Sequence, residues 1–116
     1  YQALTKSYFN RVDALVLVFA MTSENSFEGV LLWYKQIVDC KECPLIILGN
    51  KCDQGPKIEV ADEEMIEVAE ECKVPCMRTS AVTGEGVDNA FMNIISKAYE
   101  HRKAQIKREA LDLSLT

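Results

Sequence analysis

Two runs constrain this chain more than anything else in it: "ALVLVFA" at residues 14–20 and "LIILG" at residues 45–49. A strand with one wet face alternates apolar and polar residues. An unbroken Val/Leu/Ile run instead reads as a strand covered on both faces, as in a parallel sheet flanked by helices. The segments after each run fit that demand. In "TSENSFEGVLLWYKQIV", Phe27, Val30, Leu31, Tyr34, Ile37 and Val38 recur along one helical stripe, and Asn25 and Glu28 have capping-box spacing. After the second run, a polar loop with Gly55 and Pro56 leads to a helix expected to be capped by Asp62. Glu63 and Glu64 occupy its first turn, and Met65, Val68, Ala69 and Cys72 form its inner face. A short third strand is expected over 75–79. The loop "TSAVTGEG" then precedes a last helix marked by Val87, Ala90, Phe91, Ile94, Ile95 and Ala98 and expected to reach residue 107. Tyr1, Leu4 and Tyr8 place a short surface helix over residues 1–10.

Alternation of strand and helix with short loops implies an α/β fold of three parallel strands joined by right-handed crossovers. The 116 residues are enough for one small domain, and 48% hydrophobic content can supply its core. A net charge of −5 argues against general nucleic-acid binding, which needs clustered Lys and Arg. No apolar run approaches the roughly 20 residues that span a bilayer. The five cysteines, an odd number, and the lack of a basic-then-apolar opening favour reduced thiols and a cytoplasmic protein.

In open α/β sheets, ligands sit beyond the carboxyl ends of the strands. Asn50, Lys51, Cys52 and Asp53 follow the second run directly, and Thr79, Ser80 and Ala81 follow the third strand. An ionised Asp53 at that rim can accept both donors of a guanine edge, the ring N1–H and the exocyclic amine. Adenine turns an acceptor toward the same carboxylate. With about 1.5–3 kcal/mol per charge-assisted bond, two such bonds give discrimination on the order of 10²–10⁴. The Lys51 stem can lie along the flat face of a base. Asn50 can tie one loop to the other, the Ser80 hydroxyl can hold Asp53, and N–H groups around Ala81 can meet the base carbonyl. Taken alone, Asn-Lys-x-Asp is equally well turn chemistry after a strand; the second polar loop on the same rim tips the balance toward a base site.

These residues resemble the Ras superfamily of small GTPases. "GNKCD" is similar to its guanine-specificity motif, and "TSAVTGEGVDNAF" to its Ser-Ala loop and last helix. "ALVLVFAMTSENSF" is similar to its central strand and following helix, and "YQALTKSYF" to the stretch after its Asp-x-x-Gly motif. The likeness covers nearly all of the chain to about residue 100 and stands between the Ras and Rab branches. It implies a partial P-loop NTPase (Ras-like) fold. It also implies that Asn50, Lys51 and Asp53 hold the guanine of GTP or GDP, with Ser80, Ala81 and Val82 completing the pocket. Val82 departs from the family's usual Lys, whose stem covers the base, and Arg78 stands where an acidic residue is frequent.

No Gly-x-x-x-x-Gly-Lys-Ser/Thr and no Asp-x-x-Gly occurs in the 116 residues. In the family, these motifs carry the phosphate cradle, the Mg²⁺ ligands and the water-positioning residue. The chain is therefore read as the C-terminal two-thirds of a small GTPase domain, residues 1–108, with a flexible tail at 109–116. It holds no catalytic or metal-ligating residue of its own. Mg²⁺ and slow GTP hydrolysis belong to the complete protein, a signal-transduction switch, and the segment alone is expected to be inactive. Without the strand that would flank it, "ALVLVFA" becomes an open apolar edge that invites association.

Other constellations carry rival readings. Cys40, Cys43, Cys72 and Cys76 fall at helix ends and strand starts where four thiols could share a zinc ion or a redox role, although buried cysteine is also a common small hydrophobe. Cys52 is expected to be exposed, and oxidisable if Lys51 lowers its pKa, although a merely tolerated side chain is the favoured reading. His101 reads as a solvated surface residue. Lys97, Arg102, Lys103, Lys107 and Arg108 make the last helix basic, either a solvated face or a peripheral contact with anionic lipid. No cysteine follows Cys76, so no prenylation motif is present. Guanine nucleotide is the expected partner, and the sequence names no effector or regulator. The alternatives are a truncated, non-catalytic interaction module and, behind it, a thiol or zinc module.

Overall fold

The computed structural model describes residues 12–38 and 43–115. The helix expected over residues 1–10, and Cys40, lie outside them. Three parallel strands form one sheet in the order β1-β2-β3: β1 is Leu15–Ala20, β2 is Leu45–Asn50 and β3 is Cys76–Arg78. Three helices alternate with them: α1 is Glu24–Val38, α2 is Asp62–Cys72 and α3 is Val87–Leu115. The register runs unbroken from Leu15 opposite Leu45 to Ala20 opposite Asn50. The two strands therefore end level with each other on the carboxyl rim.

Strand β2 is central, and all of Leu45–Gly49 is buried. Its side chains supply two cores. On one face, Phe19, Leu45 and Ile47 pack with Phe27, Val30 and Ile37 of α1 and Met65 and Val68 of α2. On the other, Ile46 and Leu48 pack with Ala90 and Ile94 of α3. Ile46 and Ile47 are completely buried, each contributing about 1.5–3 kcal/mol from burial alone. Strand β1 departs from the expectation of two covered faces. Leu15, Leu17 and Phe19 meet the first core, whereas Val16 and Val18 are 37% and 55% exposed. The reason is geometric: α3 sits over β2, and among the described residues the same face of β1 is covered only in part.

Gly49 is required by a close approach. A Cβ there would stand 2.5 Å from the Met21 sulfur and 2.7 Å from Phe19 Cζ. Its absence lets Phe19 and Met21 close over the strand end, with Phe19 tilted against Phe27 at 4.9 Å between ring centroids. Met21 in turn ties down the loop before α2. Its carbonyl accepts from the N–H groups of both Glu59 and Val60, at 2.9 and 3.1 Å, and its own N–H donates to the Asn50 carbonyl at 2.8 Å.

Both helix caps lie upstream of the expected residues. The Ser23 hydroxyl, not Asn25, accepts from the first turn of α1, taking the Ser26 N–H at 3.1 Å. The Ser26 hydroxyl then accepts from the Ala20 N–H at 2.9 Å, locking the strand-to-helix turn. For α2, Asp62 is already helical and Ala61 is the cap residue; Glu64 reaches back to accept the Ala61 N–H at 3.2 Å. The third strand is shorter than expected. Helix α3 is longer, running to Leu115 instead of stopping at residue 107.

Candidate functional site

The carboxyl ends of β2 and β3 are laced together by their backbones. The Thr79 N–H donates to the Gly49 carbonyl at 2.8 Å, and the Cys52 N–H donates to the Thr79 carbonyl at 3.1 Å. Between these bonds, Lys51 takes a left-handed backbone conformation, φ 64°. That conformation strains a side-chain-bearing residue by about 1–2 kcal/mol. It turns the chain from β2 into a 3₁₀ segment, Cys52–Lys57, and swings Cys52 inward while Asp53 stays at the surface.

Four of the six sequence-predicted residues join in two cross-loop hydrogen bonds. The Ser80 hydroxyl donates to Asp53 Oδ1 at 2.8 Å, and the Ala81 N–H donates to Asn50 Oδ1 at 3.1 Å. Ser80 is completely buried and fully employed, since its Oγ also accepts the Thr83 N–H at 3.0 Å. Its backbone N–H and carbonyl meet Glu85 and Gly84 at 3.0 and 2.8 Å, folding residues 80–86 into a closed turn. The second oxygen of Asp53 accepts from the Gln54 side chain at 3.1 Å. The Ser80 hydrogen bond is the main cause holding the Asp53 carboxyl below its ordinary range. The remaining two predicted residues, Lys51 and Val82, are exposed and make no cross-loop side-chain bond; Val82 is 83% exposed. With Asn50 Oδ1 taking the Ala81 N–H, the Asn50 amide nitrogen and the exposed Lys51 ammonium are among the donors at this rim.

Beside the Asn50–Ala81 bond lies an open cavity of about 390 Å³, lined by Val18, Leu48, Thr79, Val87 and Phe91 as well as Asn50 and Ala81. Asp53 does not line it. A second cleft, about 470 Å³, follows the free edge of β3, with the Arg78–Asp62 ion pair at 3.3 Å on its wall. Arg78, at the frequently acidic family position, is thus engaged with α2.

Cys52 corrects the expectation of an exposed thiol. It is 6% exposed, and its thiol donates to the Glu85 carboxylate at 3.5 Å. Burial is the first cause raising its pKa, with that bond second. The residue is a buried pin between the two loops, missed in the sequence because nothing there shows that the turn at Lys51 is left-handed. Cys72 and Cys76 pack against the first core, and burial pushes the Cys76 thiol up to about 11. Cys43 lines a separate cavity of about 220 Å³ with Tyr34, Lys73 and Lys97. Among the described residues, no group of three or more His, Cys, Asp or Glu side chains is arranged to hold a metal ion, and no helix is long and apolar enough to cross a membrane.

The clasp between Ser80 and Asp53 yields a pH prediction. A carboxyl whose folded pKa is depressed adds stability above its unfolded pKa, near about 4, and loses it as pH falls through the folded value. Carbon-13 NMR titration should place Asp53 below the ordinary carboxylate range, and Ser80→Ala should move it back up. An Asp53 titration identical in the two proteins would show that the hydroxyl does not hold the carboxylate.

Parallel strands with helices on both faces, and polar loops gathered at the carboxyl rim, define a partial Ras-like P-loop NTPase fold. The Ras family model matches residues 1–100. Ras-like protein 1 of Saccharomyces cerevisiae is 33% identical over 98 residues, covering 82% of this chain and 32% of that protein. Ras-related protein RABA2b of Arabidopsis thaliana is 32% identical over 114 residues, covering 95% of this chain and 53% of that protein. The chain belongs to the Ras family of small GTPases, and it spans between a third and about half of the length of these relatives.

Proposed function

We propose that the paired loops at Asn50–Asp53 and Thr79–Val82 recognise a guanine base, and that the complete protein is a GTP- and GDP-binding switch. The observation that carries this reading is the Asp53 carboxylate, ionised and held by the buried Ser80 hydroxyl at 2.8 Å. A carboxylate fixed on one side presents its remaining lone pairs to the two side-by-side donors of guanine. Gln54, whose side chain donates to the other oxygen at 3.1 Å, is partly exposed. The Val82 N–H and the Asn50 amide nitrogen supply donors for the base carbonyl, and the Lys51 stem covers one face. The strained backbone at Lys51 supports the same reading, since such strain gathers at binding sites. Val82 covers the other face with a shorter, uncharged side chain than the family's usual Lys. Phosphates, Mg²⁺ and slow hydrolysis are served by residues of the complete protein beyond these 116. The segment itself is inactive, and its working place is the cytoplasm or the periphery of a membrane. Effectors and regulators are not specified by this site.

A second reading, a non-catalytic interaction module, draws support from the uncovered Val16 and Val18 of β1.

Two-dimensional amide NMR of the 116-residue chain tests base recognition directly. Guanosine at about millimolar concentration, the range two charge-assisted bonds sustain, should shift the Lys51, Ala81 and Val82 resonances. GTP should act equally weakly, and adenosine should leave the signals in place. Equal shifts with guanosine and adenosine would remove Asp53 as the reader.

A further inference from the structure

Helix α3 carries more apolar surface than the described residues cover. Its inner face, Ala90, Ile94, Ala98, His101 and Gln105, is buried or half-buried. On another side, Met92, Tyr99, Ile106 and Leu113 recur every seven residues, with exposures of 65%, 64%, 51% and 76%. At 3.6 residues per turn, a seven-residue repeat drifts by about 20° per heptad and keeps its line only against a second, supercoiled helix. From Tyr99 onward no described residue of α3 is buried. The helix has 29 residues, and the molecule measures 61 × 30 × 24 Å. Single helical stretches without tertiary cover are marginal in water at about 15 residues, so this exposed stripe is a surface that gains from a partner.

We infer that α3 pairs antiparallel with α3 of a second copy of this chain. The charges choose the orientation. Three residues beyond Met92, Tyr99 and Ile106 stand Ile95, Arg102 and Glu109. A parallel pair would stack Arg102 on Arg102 and Glu109 on Glu109 along the seam. An antiparallel pair sets Ile106 level with the second copy's Arg102, Tyr99 level with its Glu109 and Leu113 level with its Ile95. Arg102 and Glu109 of opposite copies then lie within one turn of each other. Of the charges on this helix, Arg102 and Glu109 are the pair that flanks the seam. Within one chain, Arg102 donates to Gln105 at a long 3.5 Å. Lys103 already leans over the Tyr99 ring at 6.0 Å, where its stem can cover the edge of the seam.

Sedimentation equilibrium of the 116-residue chain tests this. The expected result is a reversible monomer–dimer equilibrium that Ile106→Glu weakens at least ~10-fold. Arg102→Glu and Glu109→Arg should each weaken it, and the double variant should recover most of the loss, because the exchanged charges meet again only in the antiparallel pair. All three positions are exposed, and circular dichroism would confirm that the helix content is kept. A chain that stays monomeric at every concentration would overturn the proposal. So would a monomer that pellets with phosphatidylserine vesicles, which would make the face a lipid contact. Self-association that ignores Ile106→Glu would belong to the edge of β1, and a double variant no better than the singles would mean a different pairing.

Discussion

In the complete protein, Asp53→Asn is expected to turn a guanine binder into a xanthine binder. In the proposed site the carboxylate would accept two hydrogen bonds from guanine, whereas an amide offers one acceptor and one donor, matching xanthine's ring N–H and second carbonyl. Losing two charge-assisted bonds lowers the preference for GTP over XTP by about 10²–10⁴-fold, read by competition between labelled nucleotides. The exchange does not remove the clasp, because the Asn oxygen still accepts the Ser80 hydroxyl that Asp53 now takes at 2.8 Å. The fold is therefore expected to survive while the preference inverts. A variant that kept its preference for GTP would assign base recognition elsewhere on the rim.

Gly86→Ala is expected to lower stability by about 3 kcal/mol and the Tm by more than about 10 °C. Gly86 has φ 72°, and a Cβ there would overlap the Arg78 carbonyl oxygen. The left-handed conformation costs a residue with a side chain about 1–2 kcal/mol, and relieving an overlap with fixed backbone adds about 1–3 kcal/mol. The displaced turn is the one that positions Ser80 and Ala81, so weaker guanine binding should accompany the loss. Gly29 is the matched control. It lies inside α1, where an added Cβ would meet nothing within 4 Å, and Gly29→Ala should stabilise by about 0.5–1 kcal/mol. Thermal melts of the two variants separate the effects, and a Gly86→Ala melt equal to wild type would show that the turn relaxes freely.

The parts of this fold legible in the sequence were those written in burial. The apolar run at β2 and the stripe of α1 report which faces meet the core, because burying apolar surface is the dominant force driving folding, whereas the run at β1 overstated its cover at Val16 and Val18. Caps were legible only to within a few residues. Ser23, Asn25 and Asp62 are all competent caps by type, and the selection falls to tertiary contacts such as the Ser26 bond to Ala20. The end of α3 was hidden by "LDLSL", whose spacing of two resembles a strand. The preceding Ala, Gln, Lys, Arg and Glu are strong helix formers, and the helix propagates through to Leu115. At the rim, residue types pointed to Asn50, Asp53 and Ser80 as residues that tie the two loops, and the bonds from Ser80 to Asp53 and from Ala81 to Asn50 do so. Cys52 was unreadable, because its burial follows from the sign of one backbone angle at Lys51.

The bond between Ser80 and Asp53 joins residues 27 positions apart. During synthesis, the loop holding Asp53 leaves the ribosome first, with β1 and α1 already available to pack against β2. At about 5–20 residues per second, the serine that fixes the carboxylate arrives roughly one to five seconds later. For that interval the loop holding Asp53 has no latch, so the geometry of this rim is completed only once the third strand and the turn after it have emerged.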